Sequence, residues 1–156
     1  MTLPFHVPLT ADQQVAAGLP ASWPLAIADK VRFAELDPLN HVNNAAYMTW
    51  YETIRIRYML DWGLSTYSSA DDPRIVIMRA EINYLKEMLQ DETYVVTART
   101  TAFRNTSFTM ESQIWSGDLR STFSCVIVTL EPDGSGKRAL PDAVRQRFVE
   151  VDGATG

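Results

Sequence analysis

Residues 44–63 read NAAYMTWYETIRIRYMLDWG, and this stretch decides the fold. Large apolar side chains occupy ten of its positions: 47, 48, 50, 51, 54, 56, 58, 59, 60 and 62. A surface helix shows a single apolar stripe, whereas here only a narrow polar edge is left. That edge consists of Thr49, Glu52, Thr53 and Arg55. The pattern therefore predicts a long helix that is buried on most sides and ends at Gly63.

The chain that follows this helix, residues 74–131, is typical of four long strands. Apolar and polar side chains alternate over residues 78–84 and again over 108–114, with the period of two expected of half-buried strands. RNTS (104–107) and SGD (116–118) are turn sequences. Consecutive strands joined by short turns form an antiparallel sheet. A further strand predicted over 27–35 completes an α+β architecture, a curved antiparallel five-stranded sheet wrapped around a long central helix.

The length of 156 residues predicts one domain, which we place at residues 27–150. Residues 1–26 hold four of the eight prolines and show no sustained periodicity, so they are predicted to be an extension lying over the domain. Within them, Thr10 and Gln13 match a capping box that opens a short helix. A closing helix is expected near the C-terminus, and residues 151–156 are a tail.

The composition narrows the classes of partner. The net charge is −5, and no cluster of Lys and Arg appears, so nucleic acid is not expected to be the main partner. The sequence contains no run of 18 apolar residues, so no membrane span is predicted. The N-terminus lacks the basic start and apolar core of a secretory signal, which makes the cytoplasm the expected compartment. The single cysteine, Cys125, lies in an apolar run and is predicted to be a buried strand thiol.

The loop before the helix, ELDPLNHVNNAAY (35–47), concentrates polar side chains. Each has an ordinary structural explanation: Asp37 with Pro38 opens a turn, Asn40 tolerates positive φ, and Asn43 or Asn44 caps the helix. Together they bring a carboxylate, an imidazole and carboxamides to a helix N-terminus, whose free N–H groups favour negative charge on a carbonyl oxygen. A carboxylate there can attack a carbonyl or take a proton from water. The loop thus predicts an acyl-transfer site that requires no metal.

VRFAELDPLNHVNNAAYMTWYETIR (31–55) resembles the signature loop and helix of hotdog-fold thioesterases of the 4-hydroxybenzoyl-CoA thioesterase type. In that family a strand leads to an Asp, then to a His-Val-Asn-Asn-like turn, and then to an aromatic helix containing Tyr, Glu and Arg. The matching residues here are Asp37, His41, Val42, Asn43, Asn44, Tyr47, Glu52 and Arg55. The order of strand, helix and four strands fits the same fold, so the similarity covers about residues 27 to 148.

The resemblance implies an acyl-CoA thioesterase. Asp37 would be the catalytic carboxylate, as nucleophile or general base, and His41 or Asn44 would position water or substrate. The thioester carbonyl would point at the backbone amides of Asn43, Asn44 and Ala45. The helix aromatics Tyr47, Trp50 and Tyr51 are first of all expected in the core, and they are also predicted to contact substrate. Substrate contacts are predicted as well for three residues of the turn, Arg104, Thr106 and Ser107. No cofactor is implied, because coenzyme A enters as part of the substrate. Family members form dimers with active sites between subunits, so a homodimer or a dimer of dimers is expected.

Two other functions stay open. One is an enoyl-CoA hydratase or dehydratase on the same fold, although DPLNH (37–41) orders its residues differently from such sites. The other is a non-catalytic domain that binds acyl-CoA. The identity of the acyl group, and the choice between CoA and an acyl carrier protein, also stay open.

Overall fold

The structure, a computed structural model, describes residues 2–156; residue 1 of the predicted extension lies outside this range. The elements in chain order are α1 (Ala11–Ala16), β1 (Leu25–Lys30), α2 (Asn44–Asp61), β2 (Arg74–Tyr84), β3 (Thr93–Phe103), β4 (Ser107–Ser116), β5 (Asp118–Leu130) and α3 (Asp142–Glu150). The five strands form one sheet in the order β1-β3-β4-β5-β2, and every neighbouring pair is antiparallel. The predicted fold class, with five antiparallel strands and one long helix against them, is confirmed.

The core lies between α2 and the sheet. Tyr51 and Tyr58 on the helix are completely buried, as is Ile127 on β5. The Tyr51 ring stacks on Phe123 at 4.7 Å, and its hydroxyl donates to Ser121 at 2.8 Å. One face of the helix is therefore fixed by both apolar contact and hydrogen bonding. Cys125 is also buried here, as predicted, and burial raises the pKa of its thiol to about 11.

The prediction that α2 is buried on most sides is wrong for a single chain. Met48, Ile56 and Leu60 are 38%, 42% and 44% exposed. Arg55, predicted on the polar edge, has a side chain that is only 13% exposed, 3.6 Å from Glu52. The reason is geometric, because one five-stranded sheet covers one side of a helix. The apolar residues on the other side have no cover within this chain.

The prediction of a half-buried strand at β2 is also wrong. Only Ile75 and Ile82 are partly buried, and the other nine residues of the strand are exposed. β2 is an edge strand that pairs with β5 alone, and its register shifts around Met78. Its side chains are exposed because α2 packs mainly against β1 and β3, at the other side of the sheet, and leaves the faces of β2 largely without cover in this chain. Alternating sequence marks a strand but does not reveal what covers its two faces.

The first strand is shorter than predicted and begins earlier, at Leu25. After Lys30 the chain turns into a short 3-10 helix, Phe33–Glu35, instead of continuing as a strand. The Glu35 carboxylate accepts from Arg32 N–H at 2.8 Å, which caps this turn. A side chain three residues ahead thus provides the backbone amide with an acceptor, and strand pairing is interrupted.

The N-terminal residues pack on the outer face of the sheet. Leu9 and Leu19 form a second apolar cluster with β1 and β3, and the capping box of Thr10 and Gln13 is present. Gly18 adopts a φ of +102°, and a Cβ there would lie 2.9 Å from the carbonyl oxygen of Gly117. Only glycine fits so close to the β4–β5 turn. Within residues 2–156, no helix is both long enough and apolar enough to cross a membrane.

Candidate active site

The loop between the 3-10 helix and α2 closes on itself through its backbone. Asp37 N–H donates to the His41 carbonyl at 3.0 Å, and Asn40 N–H donates to the Asp37 carbonyl at 2.9 Å. Asn40 has a φ of +60°, a conformation that asparagine tolerates better than most residues. The turn therefore holds Asp37 and His41 side by side.

The two carboxylate oxygens of Asp37 have different surroundings. Oδ1 accepts from Leu39 N–H at 2.8 Å, while Oδ2 lies 3.5 Å from His41 Nε2. The Asp37 side chain is 24% exposed. One oxygen thus orients the carboxylate, and the other remains open to the imidazole and to a reacting group.

Asp37 lines an open cleft of about 410 Å³. Its walls are formed by Asp37, His41, Val42, Asn44, Tyr47, Tyr84, Leu85, Lys86 and Glu87. The Tyr47 ring meets Tyr84 edge to face at 5.1 Å, and burial raises the pKa of the Tyr47 hydroxyl to about 12. Tyr47 is therefore a neutral wall of the cleft at ordinary pH.

The amides that begin α2 are not equally free. Asn43 N–H donates to the Glu35 carbonyl at 2.8 Å, and Ala45 N–H donates to Asn43 Oδ1 at 2.9 Å, because Asn43 caps the helix. Among the residues that the structure describes, the Asn44 amide has no acceptor. Of the three backbone donors predicted for an oxyanion, Asn44 N–H alone is available, and Asn44 lines the same cleft as Asp37.

Two of the helix aromatics lie away from the cleft. Trp50 stacks on Tyr94 at 4.1 Å and donates its indole N–H to Glu35. Tyr51 is held in the core by Phe123 and Ser121. Of the three aromatic residues predicted to contact substrate, the structure brings Tyr47 alone to Asp37.

The turn residues Arg104, Thr106 and Ser107 lie elsewhere. Arg104 and Ser107 line a separate cavity of about 510 Å³, together with Met78 of β2. Arg104 N–H donates to the Ser107 carbonyl at 2.8 Å. The Thr106 carbonyl accepts from Thr129 N–H at 3.0 Å. Within one chain these residues do not join the cleft of Asp37.

Sequence reasoning missed the far wall of the cleft, residues 84–87. Glu87 Oε2 lies 3.5 Å from His41 Nδ1, and Lys86 pairs with Asp118 at 2.8 Å. Lys86 and Glu87 follow the end of β2, about fifty positions after Asp37, and no local motif marks them. The available signal was positional: charged residues directly after a strand lie at an end of the sheet, where sites are often built.

The described residues, 2–156, contain no group of three or more His, Cys, Asp and Glu side chains arranged to hold a metal ion. The arrangement at the cleft is a carboxylate beside an imidazole, with one free helix amide. Such a set can activate water or attack an electrophilic carbon, and it can stabilise an oxyanion.

Comparison with known proteins places the chain in a family. The profile of the thioesterase-like superfamily matches residues 31–148. A thioesterase-superfamily structure from Jannaschia sp. CCS1 is 42% identical, with 98% of each chain covered and a TM-score of 0.92. A thioesterase from Thermus thermophilus, solved with coenzyme A and zinc, is 32% identical, covers 84% of this chain and 96% of its own, and has a TM-score of 0.70.

A predicted thioesterase from Bacillus stearothermophilus is 25% identical, covers 84% of this chain and 98% of its own, and has a TM-score of 0.72. No curated protein matches the chain significantly. The family profile spans most of the predicted domain, including the loop that carries Asp37. The chain belongs to the thioesterase-like superfamily.

Proposed function

We propose that this protein hydrolyses acyl-CoA thioesters to a free acid and coenzyme A, with Asp37 as the catalytic carboxylate. The observation that carries the proposal is the shared cleft of Asp37, His41 and Asn44 at the start of α2. Membership of the thioesterase-like superfamily supports the reaction class, and the coenzyme A bound to the Thermus relative supports the leaving group. The loop sequence supports a relationship to the 4-hydroxybenzoyl-CoA thioesterase type.

Asp37 Oδ2 is the oxygen that acts, because Oδ1 is held by Leu39 N–H. As general base, Oδ2 takes a proton from water while the water oxygen bonds to the thioester carbon. The C–S bond then breaks, and the departing thiolate takes that proton. As nucleophile, Oδ2 itself bonds to the carbon and expels the thiolate; water then cleaves the mixed anhydride and supplies the proton. Both routes consume one water and yield acid and thiol.

Asn44 N–H stabilises the oxyanion formed in either route. It is the free amide at the positive end of α2, and backbone donors aimed at developing negative charge are effective because they need no reorganisation. Asn43 supports this role from its cap position, since its side chain fixes the direction of the first turn. Tyr47 forms an apolar wall beside the reacting group.

The active unit is a homodimer joined through β2, either alone or within a dimer of dimers. β2 has a free edge and exposes Val76, Ile77 and Met78. The cleft lies near its Tyr84 end, whereas the cavity of Arg104 lies toward its Arg74 end. Two antiparallel β2 strands would place the Arg104 cavity of one subunit beside the cleft of the other. Arg104, Thr106 and Ser107 would then contact the coenzyme A portion of the partner's substrate.

The experiment is thiol release from a panel of short, long, aromatic and hydroxylated acyl-CoAs. Hydrolysis of at least one at a saturable rate is the expected result. Binding of acyl-CoA without release of thiol from any of them would contradict the proposal and favour a binding domain. Loss of enone absorbance from a trans-2-enoyl-CoA, without thiol release, would identify a hydratase instead.

A further inference from the structure

The loop after β2, residues 85–92, is fastened to both the active-site loop and the sheet. Val42 N–H donates to the Met88 carbonyl at 2.8 Å, and Met88 is completely buried. The Glu87 carbonyl accepts from Arg120 Nη1 at 2.6 Å. Arg120 is itself held by Glu92, with Nη2 to Oε1 at 2.8 Å, and its side chain is 9% exposed. The backbone of Glu87 is therefore fixed relative to the loop that carries His41.

From this fixed backbone the Glu87 side chain reaches the cleft. Its Oε2 lies 3.5 Å from His41 Nδ1, while Asp37 Oδ2 lies 3.5 Å from the opposite nitrogen, Nε2. The imidazole is flanked by a carboxylate on each side, and all three residues line the same cleft. Both separations are slightly longer than a hydrogen bond.

We propose that Glu87 is a positioning residue that orients the His41 imidazole, with Nδ1–H toward Glu87 and Nε2 toward Asp37 and the cleft. The inference rests on the proposed function and deepens it. An imidazole is most useful when a third group fixes its rotation and decides which nitrogen faces the reacting atoms. Without Glu87 the ring is free to turn, and Nε2 no longer stays beside Asp37 Oδ2. Glu87 itself does not touch the thioester.

Four variants test this: Glu87→Ala, Glu87→Gln, His41→Ala and the double variant His41→Ala/Glu87→Ala. Glu87→Ala is expected to lower kcat about tenfold with little change in KM, the rate equivalent of one hydrogen bond to a charged group. Glu87→Gln keeps an acceptor oxygen and is expected to recover kcat to within about threefold of the wild type. Gln90→Ala, an exposed position in the same loop, is the matched control.

The decisive comparison is the effect of Glu87→Ala when His41 is absent. In His41→Ala there is no imidazole for Glu87 to orient. Adding Glu87→Ala to His41→Ala should therefore change the rate by less than about twofold. A purely structural role would lower both rates equally, and that result would overturn the proposal. A Glu87→Ala variant as active as the wild type would overturn it too. Because the Glu87 side chain is 63% exposed, the variant is expected to fold.

A readout independent of turnover separates this inference from the proposed function. The chain has two histidines, His6 and His41, so the ring ¹⁵N signals of His41 can be assigned by substitution. These signals should move in Glu87→Ala and stay in place in Gln90→Ala. Unchanged signals in Glu87→Ala would overturn the positioning role, whether or not the protein cleaves thioesters. Moved signals in a protein that cleaves no thioester would support the positioning role and contradict the proposed function.

Discussion

At the scale of single residues, the cleft depends on side chains that each make one local contact and leave one group free. Asp37 holds Leu39 N–H with one oxygen and presents the other to His41. Asn43 satisfies the Ala45 amide, and the neighbouring amide of Asn44 remains free. The same residues therefore stabilise the turn and the helix N-terminus and also form the candidate active site. The structural and functional interpretations of the loop are compatible.

Asn43→Ala should destabilise the protein. The substitution removes the side-chain acceptor of Ala45 N–H, and loss of an Asn cap costs about 1 kcal/mol in the free energy of unfolding. Urea denaturation measures the change. Asn44→Ala is the control, because its side chain does not cap the helix. Equal stability of Asn43→Ala and the wild type would contradict the assigned cap.

At the scale of elements, the structural features predicted from the sequence are correct where they rest on a local pattern. The Thr10 capping box and the turn at Gly117 are encoded within a few residues, and both occur as expected. The exposed side of α2 and the exposed faces of β2 were missed, because exposure depends on what packs from elsewhere in the chain. Trp50 is in the core, as first expected, and Tyr94, 44 positions later, stacks on it there.

The residues of the candidate site also fall into two groups, those that a local pattern predicts and those that depend on pairing with a distant part of the chain. Asp37, His41, Asn44 and Tyr47 lie within one short segment, so their meeting at a helix N-terminus could be predicted from the loop. Glu87 reaches them only because Val42 pairs with Met88 and Arg120 holds the intervening loop. Long-range pairing of this kind leaves no local trace in a single sequence.

The C-terminal segment is tied to α2 through a partly buried carboxylate. Asp152 accepts from Thr100 N–H at 2.7 Å and from Trp62 Nε1 at 3.0 Å, and the Tyr58 hydroxyl also donates to it. Burial outweighs these donors and raises the pKa of the Asp152 carboxyl above its ordinary value. The proton is therefore bound more tightly in the folded protein than in the unfolded chain.

This linkage predicts the sign of a pH effect. The contribution of Asp152 to the free energy of unfolding is complete below the ordinary carboxyl pKa of about 4, and it declines as the pH rises through the raised folded value. Asp152→Asn does not titrate, so the wild type should lose stability relative to this variant with rising pH. Urea denaturation at a series of pH values checks the trend, with Asp12→Asn as an exposed control. Parallel curves for wild type and Asp152→Asn would contradict it.

At the scale of the whole molecule, one chain leaves apolar surface without cover. Unpaired edge strands that expose Val76, Ile77 and Met78 invite pairing with another strand. The N-terminal residues cover part of the outer face of the sheet over β1 and β3, but β2 stays open. The proposed dimer would use this edge.

Met78→Lys should weaken the dimer. Met78 is 68% exposed and lies near the middle of β2, so two lysines would be buried close to the two-fold axis. We expect the dissociation constant to rise at least about tenfold, as measured by analytical ultracentrifugation. Val149→Lys, at an exposed position on α3, should leave association unchanged. A wild-type protein that is monomeric at micromolar concentration would contradict the proposed assembly.

The proposed hydrolysis depends on the carboxylate of Asp37, and Asp37→Asn tests it most directly. Thiol release is measured for the wild type, for Asp37→Asn and for Asp133→Asn, a control in the 131–136 loop. Asp37→Asn is expected to lower kcat by about 10²–10⁴ with an unchanged urea midpoint, because a positioned acid–base group contributes that much to the rate. A loss of less than about threefold, in a variant that is as stable as the wild type, would remove Asp37 from catalysis and contradict the account.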